Sequence, residues 1–224
     1  MQTSDNTIIF MITSAINVSS NPLFYGLRRS VFSNKERFGQ VLNTIDSIRS
    51  KMATEDYKII LVDNTDIKNV CSILETKVDK LVMIPSIHSD SPSKSFGEAS
   101  TIKDFLPFLL DIPFKQLIKI SGRYSLDNNF NLKNFPSNRI TARYIDPFGS
   151  KSERTPICTT LYSIPKCEMS RYKDTIDYCF ENLKDGRVDD IEKIIFLNME
   201  KDLNFIPIVG ISGYVSCWGC LVSQ

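Results

Sequence analysis

The feature that most constrains the fold is a regular alternation of strand and helix patterns in the first half of the chain. Four short apolar and β-branched runs, each bounded by polar turns, are typical of strands buried on both faces. They are residues 7–13, 57–62, 80–84 and 117–120. Helical patterns separate them, and this order predicts an α/β fold: a mostly parallel central sheet with helices on both faces.

Two S-x-x-E patterns mark helix starts in this half. Ser33 with Glu36, and Ser95 with Glu98, each precede apolar residues at helical spacing. In such a capping box the serine and glutamate side chains each satisfy an end N–H group. We therefore expect helices that begin at these two serines, the second one kinked or ended by Pro107.

The second half has a different pattern. Residues 139–145 and 157–164 are predicted strands that flank a polar loop, and residues 169–183 are a predicted amphipathic helix. A further helix is expected from Asp189, and a strand at residues 205–209. No repeat or linker interrupts the chain, so we expect one domain over residues 1–224.

Charge and composition exclude several classes of function. The chain has 27 Lys and Arg against 26 Asp and Glu, and this net charge of +1 is no signature of nucleic-acid binding. No apolar run reaches the roughly 20 residues that span a bilayer. The first residues lack the positive start of a signal peptide. We therefore expect a cytoplasmic protein without a membrane span.

Histidine and cysteine usage limits the metal chemistry. His88 is the only histidine in the sequence, so paired-histidine metal sites are excluded and a general base is expected to be a carboxylate. The six cysteines include a C-x-x-C pair, Cys217 and Cys220. No second pair completes a zinc site, and we interpret both residues as structural thiols.

Two nucleotide-binding motifs are absent from the sequence. Without G-x-G-x-x-G or G-x-x-x-x-G-K-[ST], dinucleotide oxidoreduction and P-loop chemistry lose their main signatures. Ligands of open parallel sheets bind at the carboxyl ends of the strands. The predicted site is therefore formed by the loops after Thr13, Val62, Ile84 and Ile120.

The layout resembles that of the GT-A glycosyltransferases, which use nucleotide-sugar donors. The resemblance runs from Ile8 to about Gly219 and depends on the order of its segments, since none is diagnostic alone. The segments are residues 29–40 with 44–48, 60–64, 94–98, 119–124 and 190–192. The resemblance implies a nucleotide-sugar-binding half at residues 7–125 and an acceptor or catalytic half at residues 126–224.

The resemblance also implies residues that contact the nucleotide. In this fold the loop after the first strand and the acid after the second hold the nucleoside, and Ser14 and Asp63 occupy these positions. A ribose hydroxyl or base N–H calls for a charged acceptor held rigidly. The alternative for Asp63 is an Asx turn before the next helix.

Phosphate contacts are expected from basic residues near the same strand ends. Among Arg28, Arg29 and Arg37 we select Arg29, and Lys94 is a further candidate because it precedes a helix N-terminus. Glu98 is interpreted as part of the helix cap and not as a ligand contact.

The fourth strand departs from the family pattern. GT-A enzymes usually end it with Asp-x-Asp, which binds Mn²⁺ or Mg²⁺, whereas this chain has Ser121-Gly122-Arg123. We predict that Arg123 grips the diphosphate instead, because a guanidinium binds phosphate bidentately. Tyr124 is expected to add a hydroxyl or to pack beneath the sugar. No metal ligand is assigned, and a divalent metal held by other acids, such as Asp63 or Asp90, is the alternative.

Inverting transfer needs a carboxylate that takes the proton of the acceptor hydroxyl. In the family this acid often lies at a helix start in the last third of the fold, and Asp190 and Glu192 match that place. Helix capping is the alternative role of these residues.

The expected function is transfer of a sugar from a nucleotide-sugar donor to an acceptor glycan or glycoconjugate. One alternative is a sugar nucleotidyltransferase, which is disfavoured because residues 14–20 contain no glycine. The other is a catalytically degenerate module that binds glycans or nucleotides, which the missing Asp-x-Asp favours.

Overall fold

A computed structural model describes residues 1–23, 28–68, 70–84, 90–144, 157–184 and 191–224. Its strands, in chain order, are β1 (Ile8–Ser14), β2 (Tyr57–Asp63), β3 (Lys80–Met83), β4 (Gln116–Ser121), β5 (Tyr124–Leu126), β6 (Ile140–Tyr144), β7 (Ile157–Pro165), β8 (Leu203–Ile206), β9 (Ile211–Tyr214) and β10 (Leu221–Ser223).

Seven of these strands form the main sheet, in the order β3-β2-β1-β4-β7-β6-β8. The first four run parallel, β7 is antiparallel to both of its neighbours, and β8 pairs parallel with β6. The predicted mostly parallel α/β sheet is confirmed. Because β7 and β6 follow β4 in the same sheet, the second half of the chain extends the surface on which the first half ends.

The helices cover the main sheet on both faces. They are α1 (Asn34–Lys51), α2 (Cys71–Glu75), α3 (Lys94–Phe105), α4 (Pro107–Leu110), α5 (Met169–Lys184) and α6 (Ile191–Met199). Along β1, Phe10 and Ile12 belong to the core under α1, whereas Ile9 and Met11 belong to the core under α3 and α5. Burial of both faces explains why the strands are continuous apolar runs.

One of the two predicted capping boxes is confirmed and the other is wrong. Ser33 caps α1, with the Ser33 N–H donating to Glu36 at 2.8 Å and the Glu36 N–H donating to Ser33 Oγ at 3.3 Å. The cap of α3 is Ser93, whose Oγ accepts from the Phe96 N–H at 3.2 Å. Ser95 therefore lies inside α3, and the Glu98 carboxylate does not form the capping box that the sequence pattern predicted.

A second, three-stranded antiparallel sheet, in the order β10-β9-β5, was not foreseen from the sequence. Its strands pair closely, since a Cβ built on Gly213 of β9 would lie 2.2 Å from the Arg123 carbonyl oxygen. This sheet brings the C-terminal tail back to the end of β4. The predicted strand at 205–209 ends earlier, at Ile206.

Across the described ranges, no helix combines the length and apolar character needed to cross a membrane.

Candidate functional site

An open cleft of about 840 Å³ lies at the carboxyl edge of the main sheet. Its walls come from the loop after β1, the end of β2, the first turns of α3, the end of β4 and the C-terminal tail. Representative lining residues are Ser14, Asn64, Lys94, Ser121, Arg123 and Ser216. The cleft therefore lies where ligands bind in open α/β sheets.

Asp63 organises this edge from beneath. Its carboxylate is fully buried and accepts hydrogen bonds from the Ile16 N–H at 3.1 Å and the Thr65 N–H at 2.8 Å, and from the hydroxyls of Ser14 and Thr65. Both oxygens are thus used within the chain. This geometry matches the Asx-turn alternative, whereas Ser14 lines the cleft as expected.

Asn64, which follows Asp63, faces the cleft instead. Its amide nitrogen donates to Thr101 Oγ1 at 3.0 Å, and its Oδ1 is buried without a partner among the described residues. A buried amide oxygen without a donor loses free energy that a ligand N–H or O–H restores.

Four cationic side chains line the cleft: Arg29, Arg37, Lys94 and Arg123. Arg37 comes from the first turn of α1 and is only 5% exposed. Its Nε donates to the Ala15 carbonyl at 2.5 Å, and one terminal nitrogen donates to Ser216 Oγ at 3.2 Å. Burial lowers the pKa of Arg37 to about 9, with the charge of Arg123 acting in the same direction. An anion bound in the cleft would offset both the burial of the Arg37 charge and its repulsion by Arg123.

Arg29 and Lys94, both predicted phosphate contacts, extend the positive wall of the cleft. Arg29 is buried, with Nε donating to the Asn21 carbonyl at 2.9 Å and a terminal nitrogen to the Ser91 carbonyl. Lys94 is the first residue of α3, and its Nζ lies 2.8 Å from Cys217 Sγ. Burial lowers the pKa of Lys94, and the contact with Cys217 opposes that shift. The C-x-x-C segment, interpreted as structural, thus reaches the cleft.

Arg123, the predicted diphosphate contact, follows the end of β4 and lines the cleft. Its Nε is buried without a hydrogen-bond partner among the described residues, and its guanidinium carbon lies 5.9 Å from the centre of the Tyr124 ring. The free N–H is a donor that a ligand oxygen would satisfy.

Tyr124 is placed differently from its expected role. It is 4% exposed, belongs to the core between the main sheet and α1, and is absent from the described lining of the cleft. Its ring supports Arg123, and burial raises the pKa of its hydroxyl. The expected contact of Tyr124 with the donor does not fit this burial.

Glu98 carries the only carboxylate among the described lining residues. It pairs with the ammonium of Lys119, a fully buried residue of β4 that also donates to the Thr159 carbonyl at 2.8 Å and to Ser121 Oγ at 3.2 Å. The pairing fixes an acid in the wall of an otherwise cationic cleft.

Glu192, a predicted catalytic acid, lies behind this pair. It opens α6 and accepts from Thr159 Oγ1 at 2.6 Å, so Thr159 connects it to Lys119. The described lining of the cleft does not include it. The other predicted acid, Asp190, lies outside the described residues.

The end of β4 does not fit the divalent metal that the resemblance implies. Ser121-Gly122-Arg123 supplies no carboxylate there, and the unpartnered group is an N–H donor, which a cation cannot use. No cluster of three or more metal-binding side chains occurs within the described ranges. Gly122 packs tightly, because a Cβ atom built on it would lie 3.1 Å from Val41 and 3.2 Å from Ile12.

Comparison with known proteins identifies the fold. No family model matches the chain, and no curated protein does. Among solved structures, the galactosyltransferase LgtC in complex with donor and acceptor sugar analogs has a TM-score of 0.54 at 9% identity, over 89% of this chain and 72% of LgtC. A protein of Desulfovibrio desulfuricans G20 assigned as a nucleotide-diphospho-sugar transferase has a TM-score of 0.53 at 8% identity, over 91% and 80%.

The apo-form glycosyltransferase GlyE of Streptococcus pneumoniae TIGR4 has a TM-score of 0.50 at 10% identity, over 91% of this chain. The chain spans only 45% of the length of GlyE. At these identities the likeness concerns the fold alone. The GT-A-type α/β fold that the sequence resemblance implied is confirmed.

Proposed function

We propose that the protein is a glycosyltransferase that moves a sugar from a nucleotide-sugar donor to an acceptor glycan or glycoconjugate. The observation that carries this proposal is the cleft itself. Four cationic side chains converge at the carboxyl ends of parallel strands, beside one carboxylate that is already paired. A nucleoside diphosphate has the charge that such a cleft lacks, and the fold is that of nucleotide-sugar transferases.

In this proposal Arg123, Arg37 and Lys94 bind the diphosphate. Negative charge grows on the leaving nucleotide during transfer, and cations held in a partly buried site stabilise it. The guanidinium groups of Arg123 and of the buried Arg37 both gain from that charge. Ser14 and the Asn64 Oδ1 are the proposed contacts of the nucleoside, with Asp63 positioning Ser14 and Thr101 positioning Asn64.

Two carboxylates are proposed to serve the chemistry of the sugar. Glu98, which lines the cleft and contacts the Lys119 ammonium, is proposed to bind donor hydroxyls or to stabilise positive charge at the anomeric carbon. The general base is proposed to be Glu192, in the first turn of α6, or Asp190, because inverting transfer requires a carboxylate and the sequence resemblance implies it in this part of the chain.

The test is binding and turnover across a panel of UDP, GDP, dTDP, ADP and CMP sugars. A ligand at about 100 times its Kd adds about 2.7 kcal/mol of stability, so the cognate donor is expected to raise the melting temperature. Slow hydrolysis of that donor should accompany binding. No melting shift with any of these sugars would contradict the proposal, and a shift without hydrolysis or transfer would favour the degenerate binding module.

The same assay separates the two carboxylates. Glu192→Gln is expected to lower kcat by about 10²–10⁴ with little change in donor Kd, as for loss of a general base. Glu98→Gln is expected to weaken donor binding as well. Exposed Glu55 provides the control variant Glu55→Gln. Normal turnover by folded Glu192→Gln and by an Asp190→Asn variant would place the base elsewhere.

A further inference from the structure

A second cavity, which we call the side pocket, lies between α1 and the small β10-β9-β5 sheet. It is open to solvent, has a volume of about 430 Å³ and is lined by Gln40 and Asn43 of α1 and by residues of all three small strands. Arg123 lines both the side pocket and the cleft. The two cavities therefore share one residue and otherwise have different walls.

Two buried polar atoms belong to residues of the side pocket and lack partners among the described residues. One is an acceptor, Gln40 Oε1, and the other is a donor, Arg123 Nε–H. Leaving such atoms unsatisfied costs free energy. A phosphate or carboxylate oxygen can satisfy only the donor, and an ammonium only the acceptor. A hydroxyl group can serve either atom because it both donates and accepts.

The remaining walls are uncharged. They offer the Asn43 amide and the hydroxyls of Ser125, Ser212 and Tyr214. Tyr214 and Leu221 also supply apolar surface, 40% and 67% exposed respectively. Hydroxyl and amide groups suit the edge of a sugar ring, and an exposed aromatic face suits its C–H surface. The cleft has four cationic lining residues, whereas the side pocket has only Arg123 among those described.

We propose that the side pocket binds a neutral saccharide ring, as a subsite for a unit of the acceptor glycan remote from the reacting hydroxyl. The saccharide chemistry follows from the pocket alone, whereas its assignment to the acceptor rests on the proposed function. Because Arg123 touches both cavities, acceptor and donor binding are expected to influence each other.

The test is NMR titration of the full chain, labelled with ¹⁵N, with methyl glycosides of glucose, galactose and N-acetylglucosamine. Concentrations of about 10–50 mM cover the millimolar affinity of a single small ring. At least one glycoside is expected to shift the amide signals of Ser125, Ser212 and Tyr214 saturably, without shifting those of Asn64 and Thr65 in the cleft. No saturable shift with any glycoside would overturn the proposal.

Variants make the result specific. Gln40→Leu and Tyr214→Ala are each expected to weaken glycoside binding at least about fivefold. Tyr178→Ala, which removes a tyrosine 54% exposed on α5, is expected to leave it unchanged. Equal binding by the native chain and both pocket variants would overturn the proposal. Tyr214 is on the surface, so its variant remains informative if Gln40→Leu does not fold.

A parallel titration with UDP, GDP and CMP distinguishes this inference from the proposed function. Glycoside shifts without nucleotide shifts would keep the saccharide site and remove its assignment to an acceptor. Nucleotide shifts at Asn64 and Thr65 without glycoside shifts would keep the donor cleft and remove the side pocket. Shifts by both ligands at their separate sites are the expected result.

Discussion

The chemistry of the cleft depends on how its individual side chains are buried and hydrogen-bonded. Arg37 and Lys94 are cations whose burial lowers the pKa of each, and Arg123 has a donor without an acceptor. The rule that parallel strands end at one edge placed Ser14, Arg29 and Arg123 together from sequence. The same rule did not predict Ser216, whose Oγ accepts a hydrogen bond from Arg37, 179 residues away in the sequence. Such contacts are products of the tertiary fold.

The lowered pKa of Lys94 predicts a pH dependence of nucleotide binding. A bound diphosphate favours the ammonium, so affinity is expected to fall as pH rises through the lowered pKa, earlier than for an ordinary lysine near 10.4. The stability of the nucleotide-free protein changes in the opposite direction. Between the lowered pKa of Lys94 in the folded protein and its ordinary pKa, the unfolded chain binds more protons, so the free energy of unfolding rises with pH. Calorimetric titration of the native protein and Lys94→Met between neutral and alkaline pH measures this effect. An unchanged pH profile in Lys94→Met would contradict it.

Cys217 is predicted to be shielded when the cleft is occupied. Its side chain is half-buried, and its Sγ lies 2.8 Å from Nζ of the cleft residue Lys94. Iodoacetamide is therefore expected to modify Cys217 more slowly in the presence of a bound nucleotide. The exposed Cys167 is the internal control and should react at the same rate throughout. Mass spectrometry of the labelled peptides gives both rates, and equal protection of the two cysteines would count against the contact.

At the scale of elements, sequence predicted what depends on local pattern. The boundaries of the strands buried on both faces were predicted to within one or two residues. Such strands pack against a core on each face of the sheet, so their sequences are continuous apolar runs. The strands β5, β9 and β10 are three or four residues long and mix polar with apolar positions, so no periodicity marks them. Tyr124 was misplaced for the same reason, since only the pairing of β5 determines which way its side chain faces.

The cap of α3 provides an element-scale prediction. Ser93→Ala is expected to cost about 1 kcal/mol of unfolding free energy, because it removes the acceptor of the Phe96 N–H. Ser95→Ala, inside the helix, should change stability by less than about 0.5 kcal/mol. Urea unfolding of both variants compares them directly. A larger loss in Ser95→Ala would restore the capping box that the sequence pattern suggested.

For the whole molecule, near-neutral net charge conceals an uneven distribution. The chain carries only +1 overall, yet its cleft collects four cations, and one of its walls comes from the C-terminal tail. Composition gave no reason to expect a nucleic-acid surface, and a net charge does not reveal this local concentration of cations. We expect these side chains, Arg123 foremost, to hold the donor diphosphate at the place where the sequence resemblance implies Asp-x-Asp and a metal.

The decisive experiment is calorimetric titration with the nucleoside diphosphates UDP, GDP and ADP. It compares the native protein, Arg123→Ala and Arg28→Ala, each measured in EDTA and again in added Mn²⁺. Arg28 is an exposed arginine beside the cleft residue Arg29 and serves as the matched control. We expect binding in EDTA that Mn²⁺ does not strengthen, at least a tenfold loss of affinity in Arg123→Ala, about 1.4 kcal/mol, and no loss in Arg28→Ala. Binding that EDTA abolishes and Mn²⁺ restores, with Arg123→Ala unimpaired, would contradict this expectation.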